Sequence, residues 1–294
     1  MNSRKKYSLQ LCSGKVVLGQ RTLVMGVLNV TPDSFSDGGK FFDAERAIEE
    51  AIAMERAGAD LVDIGGESTR PGAAETAASE ELDRILPVLE ALRGRLKIPI
   101  SIDTRRARVA ELALRAGAEL LNDVSGLKSD PRIAEVAARR RVPLILVHIR
   151  GEPRTMQKRG FARDVMKDVL QGLRKSLGAA RAAGVRKSQI ILDPGIGFGK
   201  SFAQNYELLQ KLPQLAKLGY PLLVGTSRKG FLGATLARDG KPAPPEGRIW
   251  GTAATVTASI LNGAHIVRVH DVAEMVQVAR VSDCLLNPKQ RPKN

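Results

Sequence analysis

About eight times along this chain a short apolar run breaks off at a polar or charged residue, and helical patterns fill the intervals. Leu23–Leu28 runs into Asn29, Leu61–Ile64 into Gly65-Gly66-Glu67-Ser68-Thr69-Arg70-Pro71, and Ile98–Ile102 into Asp103-Thr104-Arg105. Leu120-Leu121 ends at Asn122-Asp123, Pro143–Val147 at His148, and Ile190–Leu192 at Asp193-Pro194-Gly195-Ile196-Gly197-Phe198-Gly199-Lys200. Pro221–Val224 leads into Gly225-Thr226-Ser227-Arg228-Lys229, and His265–Val267 into Arg268-Val269-His270-Asp271. Short apolar runs bounded by turn residues read as buried strands. Strands alternating with helix-length crossovers pair in parallel.

An α/β chain of about eight such units closes into a (β/α)8 TIM barrel, which gathers every strand tail around one mouth. A doubly wound open sheet is the second choice. It concentrates its site at one switch point, whereas here polar residues follow nearly every strand. Helix capping by Asp193 is the competing account of that residue, because Asp is a good N-cap. Capping does not explain Asn, Asp, His, Lys and Arg arriving together.

The outer ring of helices is legible as apolar stripes at helical spacing. Leu82, Ile85, Leu86, Leu89 and Leu92 form one stripe within a helix expected near Ser79–Arg93, and Met166, Val169, Leu170, Leu173 and Leu177 form another. Further helices are expected near Asp43–Ala57 and Ala107–Ala116. The Pro/Gly-rich stretch at 238–247 reads as a loop, since alternation resumes beyond it, so residues 1–294 form one domain. With 43% hydrophobic residues in 294, the core is ample, yet no run is long enough to span a bilayer. Cys12 and Cys284 lack metal-ligand spacing and read as reduced thiols of a cytoplasmic protein. The net charge of +15 comes with only 4% aromatics and no stacking pattern. It reads as a solvated basic surface that attracts small anions, with no nucleic-acid partner.

Several tails carry their own chemistry. Asn29 offers a carbonyl oxygen to a hard cation such as Mg2+, which is held mostly by substrate phosphates. The loop Val30–Gly39, with Phe35 and its glycine pair, reads as a lid. Asp103, Asn122 and Asp193 form a buried polar trio that must bond among themselves or receive a ligand rich in N–H donors. An aminopyrimidine ring would satisfy a carboxylate bidentately. Ser227-Arg228-Lys229 and Arg268-Val269-His270 set cations on neighbouring strand ends, which suits a polyanionic leaving group. No Walker loop is present, and His148, His265 and His270 lack zinc spacing. His265, at the start of its strand, is expected to be structural.

Read together, the motifs Asn29–Gly38, Asp63–Gly72, Ser101–Thr104, Asn122–Gly126, Asp193–Lys200, Ser227–Lys229 and Arg268–Asp271 make the chain similar to the dihydropteroate synthases, the sulfonamide targets of folate biosynthesis. The resemblance spans the chain from first strand to last. It implies a homodimeric barrel enzyme that condenses 4-aminobenzoate with (7,8-dihydropterin-6-yl)methyl diphosphate, assisted by Mg2+. Carried over by position, Asp103, Asn122, Asp193 and Lys229 hold the pterin, and Ser227 is a further substrate-binding residue. Arg268, His270, Thr69 and Asn29 deal with diphosphate and metal. Phe35, Arg70, Pro71, Phe198 and Lys229 frame the aminobenzoate. Asp193, Asp103, Lys229, Arg268 and His270 are the expected catalytic group. Gly230 stands where many members carry a serine whose hydroxyl helps hold the benzoate carboxylate, and Val147 where methionine is frequent beside the pterin. A pterin-binding methyl-carrier module and a catalytically silent paralogue are the alternative functions.

Overall fold

The computed structural model describes residues 4–31, 40–68, 76–151, 156 and 160–288. Eight of its strands are parallel neighbours in one sheet: β3 (Leu23–Asn29), β4 (Leu61–Gly65), β5 (Ile100–Asp103), β6 (Leu120–Asp123), β7 (Leu144–Val147), β8 (Ile190–Asp193), β9 (Leu223–Val224) and β10 (Ile266–Val269). Each pairs with its sequence neighbour, and β3 pairs with β10 through Ile266↔Leu23. A parallel bridge between Leu192 and Leu222 joins β8 to the start of β9 and closes the ring. The expected (β/α)8 barrel is the observed fold, and the open sheet is excluded by that closure.

Strand pleating divides the core in two. Alternate residues point to opposite faces. Met25, Leu61, Leu120, Ile145, Ile191, Leu223 and Ile266 pack together inside the barrel. Their neighbours Val24, Val62, Leu121, Leu144, Leu192, Val224 and Val267 pack outward against the helices. The expected stripes meet that outer face: Ile85, Leu89 and Leu92 of α2 (Ala78–Leu92), and Val169, Leu173 and Leu177 of α5 (Val165–Ala182) are buried. Further ring helices include α1 (Lys40–Arg56), α3 (Ala107–Ala116), α4 (Arg132–Arg140), α6 (Phe202–Gln210) and the pair α9 (Ile249–Leu261) and α10 (Val272–Leu286).

One feature was not anticipated. An antiparallel hairpin, β1 (Tyr7–Gln10) and β2 (Lys15–Leu18), precedes the barrel. Its Leu9 and Leu18 are buried with the barrel interior, so the hairpin plugs the end where the strands begin. The plug is four residues per strand and lacks a long apolar run, which is why periodicity did not mark it. At that same floor His265 is structural, as expected. Its Nδ1 accepts from the Leu222 N–H at 3.1 Å, leaving Nε2–H to donate to the Lys5 carbonyl at 3.0 Å. Burial holds this imidazole down to about 4.

Candidate active site

Pleat parity decides which strand tails reach the barrel mouth. Asp63, Ser101, Asp103, Asn122, Asp193 and Arg268 share the inward phase of Leu61, Leu120, Ile191 and Ile266 on their strands or the strands beside them. His148 and Asp123 are one residue out of phase, and they turn away from the mouth. The Asp123 carboxylate instead accepts from the N–H groups of Ser125 and Leu127, shaping the loop after β6.

A single pocket at the carboxyl ends of the strands is lined by Asp103, Asn122, Asp193, Phe198, Ser227, Lys229, Arg268 and His270. Val27, Val124, Val147, Ile196 and Gly225 supply its apolar wall. Eight of the residues expected from sequence therefore meet in one place. Asn29 ends β3, half-buried, outside this lining. Phe35, Thr69, Arg70 and Pro71 lie outside the described residues.

The polar trio does not bond internally, which corrects one of the two arrangements expected for it. Each member has a different partner. Arg268 donates from Nη2 to Asp103 at 2.9 Å and from Nε to Asp63 at 2.6 Å. Asn122 donates from Nδ2 to the same Asp63 oxygen at 2.9 Å. The Asn122 Oδ1 is buried and has no hydrogen-bond partner among the described residues. With its amide nitrogen committed to Asp63, Asn122 presents an acceptor to the pocket. Among the described residues, Asp193 accepts only from the Gly195 N–H, at 2.6 Å. It does not cap the next helix, because Ser201 caps α6 by a reciprocal pair with Gln204.

Burial dominates the electrostatics. It pushes the Asp193 carboxyl up to about 6 against the pull of the Gly195 N–H, Lys229 and Arg268. The Asp103 carboxyl is likewise raised by burial, opposed by Arg268. Lys229 is lowered to about 8 by burial and by Arg268, and its ammonium lies 4.2 Å from the centre of the Phe198 ring. Such a site holds carboxylates that gain from N–H donors and a lysine that gains from an acceptor.

Of the expected cations Arg228 needs correction, and His270 adds no positive charge. Burial beside Arg268, Arg228 and Lys229 holds His270 down to about 3, so it is a neutral imidazole. Ser227 Oγ accepts from the His270 backbone N–H at 3.1 Å and lies within hydrogen-bond reach of Nδ1 at 3.0 Å, which fixes the ring beside the pocket. Arg228 turns out of the pocket onto Asp271, with Nη2–Oδ1 at 2.5 Å. Asp63, which is not among the expected site residues, is fully buried and binds two pocket residues at once. Its signal was present: it lies two residues after Leu61, on the inward face.

A barrel whose mouth offers carboxylates, an amide oxygen and a lysine to a flat, nitrogen-rich ring defines a class, the pterin-binding enzymes. The sequence profile of that class, "Pterin binding enzyme", matches residues 25–270. A dihydropteroate synthase of Synechocystis is 52% identical over 91% of this chain and 91% of its own length. A Xanthomonas albilineans dihydropteroate synthase with 4-aminobenzoic acid superposes with a TM-score of 0.88 at 40% identity, covering 96% of this chain and 99% of its own. The same enzyme in complex with 7,8-dihydropteroate gives 0.83 at 38% identity, covering 95% and 99%. The chain belongs to the dihydropteroate synthase family. No helix among the described residues is long and apolar enough to cross a membrane.

Proposed function

We propose that this chain condenses 4-aminobenzoate with (7,8-dihydropterin-6-yl)methyl diphosphate in the barrel-mouth pocket, releasing diphosphate. The observation that carries the reading is the meeting of Asp103, Asn122, Asp193, Lys229 and Arg268, from five separate strand ends, on one pocket. The neighbours with 4-aminobenzoic acid and with 7,8-dihydropteroate support it.

Asp193 and Asp103 accept from the ring and exocyclic N–H groups of the pterin, Asn122 accepts at its unpartnered Oδ1, and Lys229 donates to a ring acceptor. The electrophilic methylene carbon is attached to an electron-rich ring, so diphosphate leaves before the arylamine attacks. The carboxylate of Asp193 stabilises the positive charge that spreads over the ring as the bond breaks. Preorganised stabilisation of this kind is worth about 3–4 kcal/mol per group. Arg268 and the neutral His270 imidazole face the departing oxygens. The arylamine attacks as the neutral base and needs no general base, and Phe198 lines the side from which it enters.

Among the described residues no cluster of acidic, histidine or cysteine side chains could hold a metal on its own. A single neutral oxygen on Asn29 fits Mg2+, which keeps water and substrate phosphates as most of its ligands. When bound there, Mg2+ would supply charge neutralisation for the diphosphate. The working form is a homodimer in this reading.

Diphosphate release measured with the dihydropterin diphosphate, 4-aminobenzoate and Mg2+ tests the proposal. Dihydropteroate and diphosphate should form in equal amounts. Pterin binding without either product would leave a binding module in place of an enzyme.

A further inference from the structure

Lys200 closes the glycine-rich loop that follows β8, and the proposed chemistry leaves it unused. Its ammonium is sealed inside the protein at 2% exposure. There it donates to the carbonyls of Gly195 at 2.8 Å, Phe198 at 3.0 Å and His148 at 3.1 Å, with the His148 Nδ1 also at 3.1 Å. A cage of backbone carbonyls is the setting expected for a bound metal cation, and here a side chain occupies it. Burying an ammonium is costly unless its hydrogen bonds are all made, so the cage and the lysine specify one another.

The cage leads directly to the pocket. Gly195 gives its carbonyl to Lys200 and its N–H to Asp193 at 2.6 Å. Phe198 gives its carbonyl to Lys200 while its ring lines the pocket beneath Lys229. The loop has little slack against the strand beside it. Gly195 sits at φ +67°, and a Cβ there would lie 1.9 Å from the His148 carbonyl oxygen. The His148 imidazole is held down to about 2 by burial and by Lys200, so it stays uncharged beside the ammonium.

We propose that Lys200 is a positioning residue for the condensation: its ammonium, through the carbonyls of Gly195 and Phe198, fixes the Asp193 carboxylate and the Phe198 ring against the substrates. The inference rests on the roles assigned above to Asp193 and Phe198. The charges facing Lys200 are those of Asp193, Asp168, Lys128 and Lys229, and those facing Asp193 are Lys229, Arg268 and Lys200. Removing the Lys200 ammonium takes one of three cations from Asp193, so the carboxyl becomes harder to ionise.

The test is Lys200→Met, assayed beside the wild type over a pH series. KM for 4-aminobenzoate should rise by about tenfold, the scale of a lost hydrogen bond to a charged group. The acid limb of kcat/KM should move up by about 0.5–1 pH unit as Asp193 loses a cation. An acid limb that stays where the wild type has it overturns the proposal, whatever KM does. If Lys200→Met does not fold, Lys200→Ala refolded with propylammonium decides the matter. The amine should restore turnover and 1-propanol should not. A chain that fails to fold with and without the amine assigns Lys200 to the fold alone and overturns the proposal. A wild type that forms no product overturns instead the reading on which it rests.

Discussion

The Arg268 guanidinium sits 2.6 Å from the Asp63 carboxylate, joining two strands whose partners lie 205 positions apart in sequence. Asp63 has no exposed surface, and it would be an unpaired buried charge without this arginine. Arg268→Met should therefore destabilise the protein by about 3–5 kcal/mol in urea unfolding. Adding Asp63→Leu should recover most of that stability while turnover stays lost. Equal instability of the single and double variants would show that the pair is not what stabilises the mouth.

Asp193→Asn keeps the shape of the side chain and removes its charge. Turnover should fall at least about a hundredfold, with the circular dichroism spectrum unchanged. Near-wild-type turnover in that variant would refute the charge-stabilising role.

The pH profile of kcat/KM should be bell-shaped. Asp193, held near 6, must be ionised to accept from the pterin, so activity rises as pH climbs through about 6. Asp103, also raised by burial, steepens that limb. Lys229, held near 8, must keep its proton to donate, so activity falls as pH climbs through about 8. The profile of Lys229→Met, measured on whatever activity remains, should lose the part of the descending limb near 8 and keep the part set by Lys200, which burial lowers to about 7.

At Gly230, the first residue of α8 (Gly230–Thr235), an added Cβ meets no atom within 4 Å. Gly230→Ser should leave stability within about 0.5 kcal/mol of wild type. Its hydroxyl should lower KM for 4-aminobenzoate and leave KM for the pterin substrate alone. A shift in the pterin KM instead would move Gly230 to the other substrate.

The hairpin plug stands at the opposite end of the barrel from the pocket. Leu18→Ala, at a position with no exposure, should cost about 2–5 kcal/mol of stability. Steady-state constants at a temperature where the variant remains folded should match the wild type.

Much of the barrel was readable before any coordinates, and for a local reason. Strand–helix alternation is set by short-range hydrophobic periodicity, and parallel pairing follows from the length of the crossovers. Asp103, Asn122, Asp193 and Arg268 were recognisable because each interrupts an apolar run where the strand ends, and Lys229 because it stands in the polar tail that follows Val224. The resemblance to a known family then gave those interruptions a ligand. The partners of these residues were not readable. The Asp63 bond to Arg268 depends on β4 and β10 flanking β3, a neighbourhood created by barrel closure. Neutral His270 and the outward turn of Arg228 onto Asp271 depend on what surrounds each side chain, which a residue's type does not disclose. Lys200 is the sharpest case. In the sequence it is one basic residue among 46, and only the fold, by bringing the carbonyls of His148, Gly195 and Phe198 within reach, makes it an internal cation. Local pattern is enough to set element type, whereas hydrogen bonding and charge state depend on contacts between residues far apart in the chain.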